Sequence, residues 1–283
     1  MNPLLGRVTE SVALDDAPAP WQLRQCLETG LVYLDNPPPS EVLISDHAWE
    51  VSYRAEATRR AQAEPLRYRF SQVMKAARRR LRRNKVRDLV LQVIRDGAID
   101  SPRVLDVGCG DGKLIIEVME RLDDAGVRHA EPMGIDISLA LSRTAHGRFA
   151  PRGGRCIHAS AIEGLHSVAP HSIDVVILSS FLEHETEPVA LLRACARILR
   201  PGGRVVVKVP NHDCLNRKLR GPRWCGYRWP DHVNYFTPGT LRMVAEAAGL
   251  SVTRMSLLDR QVLSDSLYAV LGPPAAPAGA AAV

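Results

Sequence analysis

Pro102 to Gly112 reads P-R-V-L-D-V-G-C-G-D-G, and the rest of the chain is placed around it. Val104, Leu105 and Val107 make a short aliphatic run, the mark of a buried parallel strand. Gly108, Gly110 and Gly112 follow at once and open a helix expected over Lys113 to Arg121. Glycines supply positive φ and lack a Cβ, so a ligand can lie against the backbone, and a helix N-terminus presents unpaired N–H donors. This is the pattern of a nucleotide-binding turn. A dinucleotide fingerprint, G-x-G-x-x-G, would need a glycine where Lys113 stands. The pattern is instead D-x-G-x-G-x-G, led by Asp106. A carboxylate at the strand's end repels a pyrophosphate but suits a ligand carrying an ammonium and a sulfonium.

Met133 to Ile137 is a second short apolar strand, with Asp136 24 positions past Gly112. That is close to the ~20-residue spacing of a ribose-binding acid in a βαβ unit. The ordered pair VLDVGCGDG and GIDIS resembles the first two motifs of class I S-adenosylmethionine (SAM) dependent methyltransferases, and the resemblance runs on, in the family's order, to about Leu250. It implies a loop of Gly108, Cys109, Gly110 and Gly112 around the amino acid part of SAM, with Asp106 near its amino group. Asp136, beside Ile137, would take the ribose hydroxyls.

Gly154 to Ala159 reads as the third strand. The family often has an acid near Ser160 for the adenine amino group. Serine there leaves backbone N–H groups of Ala161 or Ile162 as substitutes. Ser172 to Ser180 is near-continuously apolar, as a strand buried on both faces should be, and Ser179, Ser180 and Phe181 would line the cofactor slot. F-L-E-H and the residues after it resemble the family's L-E-H segment, helix, P-G-G turn and fifth strand, with Gly202 and Gly203 expected to stop the chain before that strand. Four βα units in this order predict an α/β, Rossmann-like, doubly wound seven-stranded sheet, mostly parallel. A C-terminal antiparallel hairpin over Leu250–Leu258 and Gln261–Leu271 would close it, and an N-terminal helical cap would cover it.

The 283-residue chain carries a net charge of +6, and the basic excess is local: Arg54 to Asp88 holds thirteen Lys and Arg against three acids. Leu66 to Arg95 has helical periodicity with Arg78 to Arg83, Lys85 and Arg87 facing outward. That face is read either as a solvated surface or as a contact for RNA. No run of 18 apolar residues and no basic-then-apolar leader is present, so no membrane span and a cytoplasmic setting are expected. Six cysteines without a C-x-x-C pair argue for reduced thiols. Residues 1–20 lack any period and read as loosely ordered.

The run C-L-E-T-G-L-V-Y-L-D-N-P-P-P-S resembles the end of a zinc ribbon that precedes the catalytic domain in bacterial methyltransferases of small molecules and glycans. Cys26 is kept, Thr29 stands at the next ligand position and no cysteine precedes, so no metal is expected. Asp35 to Pro38, D-N-P-P, is similar to the loop of base amino-methyltransferases, but the stacking aromatic is missing. Ser45 to Ala63 is expected to form a helix or two near the site mouth.

Asn211 to Phe236 is a long insertion with five of the fourteen aromatics. Such loops beyond the carboxyl ends of strands are where α/β enzymes bind substrate, which nominates Trp224, Tyr227, Trp229 and Tyr235 as substrate contacts. A base matters only for a hydroxyl or acidic-carbon acceptor. His232 and His184 are the candidates, with His212 a third. A zinc reading of His212, Cys214, Cys225 and His232 matches no signature spacing. The organisation expected is an N-terminal segment over 1–65, a basic helical region over 66–100, the methyltransferase domain over 101–271 and a disordered tail over 272–283. The function expected is methyl transfer from SAM, with S-adenosylhomocysteine as product, to a small-molecule or glycan-like acceptor, through oxygen. The rivals are an RNA methyltransferase and a non-catalytic SAM-binding partner subunit.

Overall fold

A computed structural model describes residues 1–38, 84–256 and 265–274, with residues 58, 62, 69, 73 and 259 in addition. The helices expected over Ser45–Ala63, most of the basic stretch and the tail beyond 274 lie outside the described residues. The large sheet has seven strands in the order β10 (Ser251–Arg254), β11 (Ser266–Gly272), β8 (Leu199–Pro210), β7 (Ile173–Ser179), β4 (Arg103–Val107), β5 (Glu131–Asp136) and β6 (Arg155–His158). β4, β5, β6 and β7 run parallel to their neighbours in this block, and β7 pairs parallel with β8. β11 is antiparallel to β8, and β10 is antiparallel to β11, which is the expected closing hairpin.

Strand alternation sorts the residues between two cores. In β4, Leu105 and Val107 face a core completed by α4 (Ala161–Ser167), α5 (Pro188–Ile198) and α7 (Pro238–Ala247). Val104 faces the other, with α1 (Lys85–Asp96), α2 (Lys113–Asp123) and α3 (Leu139–Phe149). Period-two alternation puts Asp106 on that second face, two places on from Val104. Helices on both faces of a mostly parallel sheet are the doubly wound architecture.

Two elements differ from expectation. The P-G-G turn does not stop the chain. β8 runs through it, and the residues between Leu199, paired with Ile173, and Arg204, paired with Val175, bulge out of the ladder. Arg200 there reaches Asp174 at 2.8 Å. Within residues 1–20, Ser11–Leu14 forms β1, paired antiparallel with β2 (Leu23–Cys26), a partner too distant in sequence to leave a periodic trace.

β1, β2 and β3 (Val32–Leu34) form a second sheet, and its fourth strand is β9 (Asn234–Tyr235) from the insertion. The N-terminal segment and the insertion are therefore one unit. Its core is Leu23, Val32, Cys214, Trp224, Tyr227 and Tyr235. The Trp224 indole N–H donates to Asp265 at 2.6 Å, and the Tyr227 hydroxyl donates to Asp16 at 3.1 Å. Cys26 is buried, with the Thr9 hydroxyl donating to its sulfur at 3.5 Å.

α1 docks on the hairpin edge through Lys85, which pairs with Asp259 at 2.6 Å and lies over the Tyr268 ring. Burial alone would raise the Asp259 carboxyl, but Lys85 and the Ser256 donors outweigh it and hold it at about 2, below its ordinary 3.8. Its contribution to stability is thus present above pH 3.8 and is lost as pH falls through about 2. Asp259→Ala is expected to lower stability by about 2 kcal/mol in urea titrations at pH 7, and by less at pH 2, because the carboxylate makes charge-assisted bonds. Trp224→Ala is expected to cost about 3 kcal/mol through the cavity left in the small core, read from the same titrations.

Candidate active site

The turn after β4 lies on the end of β5. The N–H groups of Gly108 and Cys109 both donate to the Ile135 carbonyl, at 2.8 and 3.1 Å, and the Gly110 N–H donates to Asp136 Oδ2 at 2.7 Å. Gly112 has φ +79° and caps α2, and a Cβ there would stand 2.6 Å from the Phe149 ring. Asp111 accepts from Lys113 N at 3.2 Å and from Arg148 at 2.7 Å, which ties the loop to α3. The Phe181 ring lies directly on the Gly108 backbone.

Two acids stand at this turn. Asp106 is 2% exposed, and among the described residues none donates a hydrogen bond to its carboxyl. Burial, then the neighbouring Asp136 charge, pushes it up to about 8. A buried carboxyl of this kind fits a cationic ligand, which would restore its charged form. Asp136, at 9% exposure, also accepts from Ser138 N at 2.9 Å; burial raises its pKa, against the two backbone donors. Ile137 follows it, and its carbonyl meets His158 at 2.9 Å. At the start of α4, the Ser160 hydroxyl donates to Glu163 at 2.6 Å, beside Ala161. That carboxylate stands one turn beyond the place where the sequence lacked an acid. The spacing S-x-x-E could have flagged it, although Ser160 bonds the Glu163 side chain rather than capping the helix.

Beyond β7 the chain passes through Ser180 at φ +57°, where Lys208 Nζ donates to its hydroxyl at 3.1 Å. It then makes a short 3-10 turn over Leu182–His184. β9 straps this turn in place. Val233 N donates to Glu183 O at 2.8 Å, and the Asn234 side chain donates to Glu185 O at 2.6 Å. The strap brings His184 and His232 together, their rings edge to face at 4.7 Å. Both Nδ1 atoms face carbonyls, Asp231 O at 2.8 Å for His184 and Gly226 O at 2.7 Å for His232. A carbonyl only accepts, so each Nδ1 carries a proton, and on a neutral ring the lone pair is then on Nε2.

Glu183 completes the group, its carboxylate and the two imidazoles lying within 4.8 Å of one another. Such a donor set can take up a proton, and its chemistry also suits a divalent cation. Glu183 is 1% exposed with Oε2 unpartnered, and burial pushes it up to about 7. Burial, then the Arg228 charge, lowers His184 to about 4, so its ring is neutral at pH 7. Sequence reasoning named both histidines but missed Glu183 and Lys208.

The aromatic nominations divide. Trp224, Tyr227 and Tyr235 are each 1% exposed and serve as the core of the small sheet, not as a substrate lining. A sheet of short strands has little else to bury. Trp229 is only partly buried and stacks on Tyr227 at 5.4 Å. His212 is taken up by the same cluster and donates from Nε2 to the Tyr227 oxygen at 3.0 Å. Cys214 accepts the Arg217 N–H at the start of α6 (Leu215–Arg220).

A methyltransferase-domain family model matches residues 70–254. The chain is 32% identical over 169 residues to the ubiquinone biosynthesis O-methyltransferase of Aeromonas salmonicida, covering 57% of this chain and 68% of that one. It is 33% identical over 165 residues to the protein of the same description from Cupriavidus pinatubonensis, covering 54% and 61%. The matches thus span about three fifths to two thirds of these relatives. A crystal structure from Nostoc punctiforme, described as a candidate O-methyltransferase, shares the fold with a TM-score of 0.50 at 21% identity, covering 65% of this chain and 55% of that one. Among the described residues no helix is long and apolar enough to cross a membrane. The family match reaches well past half of the chain, across the glycine turn and the parallel strands, and the protein belongs to the class I SAM-dependent methyltransferases.

Proposed function

We propose that the protein methylates a hydroxyl oxygen of a small-molecule acceptor, and that the Glu183–His184–His232 group takes the acceptor's proton. The observation that carries this is the pair of imidazoles, each with its Nδ1 on a backbone carbonyl, beside a buried carboxylate, at the carboxyl end of β7, the strand next to the one that feeds the glycine turn. The description of the sequence relatives as O-methyltransferases supports oxygen as the acceptor atom.

SAM supplies an electrophilic methyl on a sulfonium. This chain's residues have to hold it in line with the acceptor and keep water out. Asp106 pairs with the ligand's ammonium, and the turn from Gly108 through Cys109 and Gly110 to Gly112 cradles its amino acid part. Asp136, with Ile137 beside it, addresses the ribose. Ser160 and Ala161, with Glu163 behind them, meet the adenine edge, and Ser179 and Phe181 close the slot. His184 is the less buried member of the histidine pair and receives the acceptor's hydrogen bond at Nε2. His232, 4% exposed, packs behind it, and the ionised Glu183 carboxylate stabilises the proton once it has moved. Trp229 remains the aromatic available to an acceptor. The catalytic unit is residues 101–271 together with β1 to β3, since β9 connects that sheet to the His184 turn.

Binding a cation drives Asp106 from its neutral to its charged form. The affinity for S-adenosylhomocysteine is therefore expected to rise by up to about tenfold per pH unit between pH 6 and pH 8 and then level off, as titration calorimetry would show. Asp106→Asn should bind weakly with no such slope, and equal wild-type affinity at both pH values would refute the assignment. In a screen of hydroxylated aromatic acceptors read by S-adenosylhomocysteine release, His184→Ala should lower kcat by about 100-fold or more at unchanged cofactor affinity. The wild-type kcat should climb with pH through about 7, where Glu183 ionises, and Glu183→Gln should lose that limb. A wild type that methylates only amines, or a His184→Ala variant with full kcat, would remove the proposed base.

A further inference from the structure

The glycine turn carries a feature that methyl transfer does not require. The Cys109 sulfur, inside the turn, stands 3.6 Å from the Cys156 sulfur on β6. These residues are far apart in sequence and meet across β5, on which Gly134 pairs with Cys156. Gly134 makes the meeting possible: a Cβ there would lie 2.6 Å from the Cys109 sulfur. The two thiols thus share the gap above a residue that has no side chain. Cys109 is 7% exposed, while Cys156 is only half-buried and open to small oxidants.

We infer that Cys109 and Cys156 are a redox pair, closed to a disulfide by a peroxide and reopened by thiols, and that closure shuts the cofactor turn. The inference that closure blocks cofactor rests on the reading of the turn given above; the existence of the bond does not. The Cys156 thiolate attacks one peroxide oxygen, so that an S–O bond forms, the O–O bond breaks, and the departing hydroxide takes up the thiol proton as water. The Cys109 sulfur then attacks the Cys156 sulfenic acid. An S–S bond forms, the S–O bond breaks, and hydroxide leaves with the Cys109 proton as a second water. Two thiols and one peroxide give one disulfide and two waters. The hydrogen bond to Cys156, then burial, pushes the Cys109 thiol up, which leaves the more accessible Cys156 as the thiol that meets the peroxide first.

A disulfide needs its sulfurs at about 2.05 Å, so the pair must close by roughly 1.5 Å. β6 is the edge strand, held by its ladder with β5 alone, and the turn is held to β5 by the N–H groups of Gly108, Cys109 and Gly110, so closure sets these bonds against the new one. Pulling Cys109 toward β6 drags with it the N–H groups of Cys109 and Gly110, which hold the turn to Ile135 and Asp136.

The experiment compares the full-length wild type and Cys156→Ser, each reduced and then treated with a few equivalents of hydrogen peroxide. Intact mass, a non-reducing peptide map and calorimetric titration with S-adenosylhomocysteine are read together. Peroxide should remove about two mass units from the wild type, link the peptides that contain Cys109 and Cys156, and weaken binding at least tenfold. Dithiothreitol should restore it. Cys156→Ser should bind as the reduced wild type does, before and after peroxide. Oxygen adducts at Cys156 without a link, a link between other cysteines, or equal loss of binding in Cys156→Ser would overturn the redox pair. A linked wild type with unchanged affinity would overturn the gating alone. Failure of the reduced wild type to bind would sink the cofactor reading and the gating with it, while the peptide map would still decide the bond.

Discussion

The fit of the glycine turn against the end of β5 is the contact on which the rest of the carboxyl edge depends. Two successive N–H groups share one carbonyl, of Ile135, and the next meets the Asp136 carboxylate. This approach is possible only because Gly134 and Gly112 present no Cβ to Cys109 and Phe149. From it follow the start of α2, capped by Gly112, and the burial of Asp106 on the same face as Val104. It also brings Cys109 across to β6.

A second constraint is exerted by a strand of two residues. β9 pairs with Val32 and Tyr33 on one side and anchors the 3-10 turn after β7 on the other. The small N-terminal sheet is thereby coupled to Glu183 and His184. Its aromatic core gives β9 a rigid backing, since rings that bury this much surface and pair edge to face dominate the energetics of small sheets. Trp224, Tyr227 and Tyr235 thus bear on the His184 turn through the backbone they hold in place.

Electrostatically the carboxyl edge of the sheet holds ionisable groups away from their solution forms. Asp106 and Glu183 are buried acids with raised pKa values, and His184 is a neutral imidazole with a lowered one. Each is displaced by loss of water from the form it would hold in solution, and displaced groups of this kind gather where chemistry is done. Asp259 is the contrast within the same chain. It too is buried, yet it is fully paired with Lys85 and Ser256, its pKa is lowered, and its work is to hold α1 on the sheet.

The sequence by itself determined the parallel strands, the glycine turn, Asp106 and Asp136, because each is written in neighbouring residues. Aliphatic runs, Gly at every second position and an acid at a fixed distance need no distant partner to be recognised. It also placed histidines after β7 and within the insertion. Only the tertiary structure decided that His184 and His232 meet, that Glu183 joins them, and that β1 exists. The same holds for Trp224, Tyr227 and Tyr235, whose composition suits a binding surface and a core equally well. Short strands carry too few residues to show a period, and an aromatic side chain is assigned by what covers it. Pairings between distant segments settle both, and such pairings leave no mark in the local sequence.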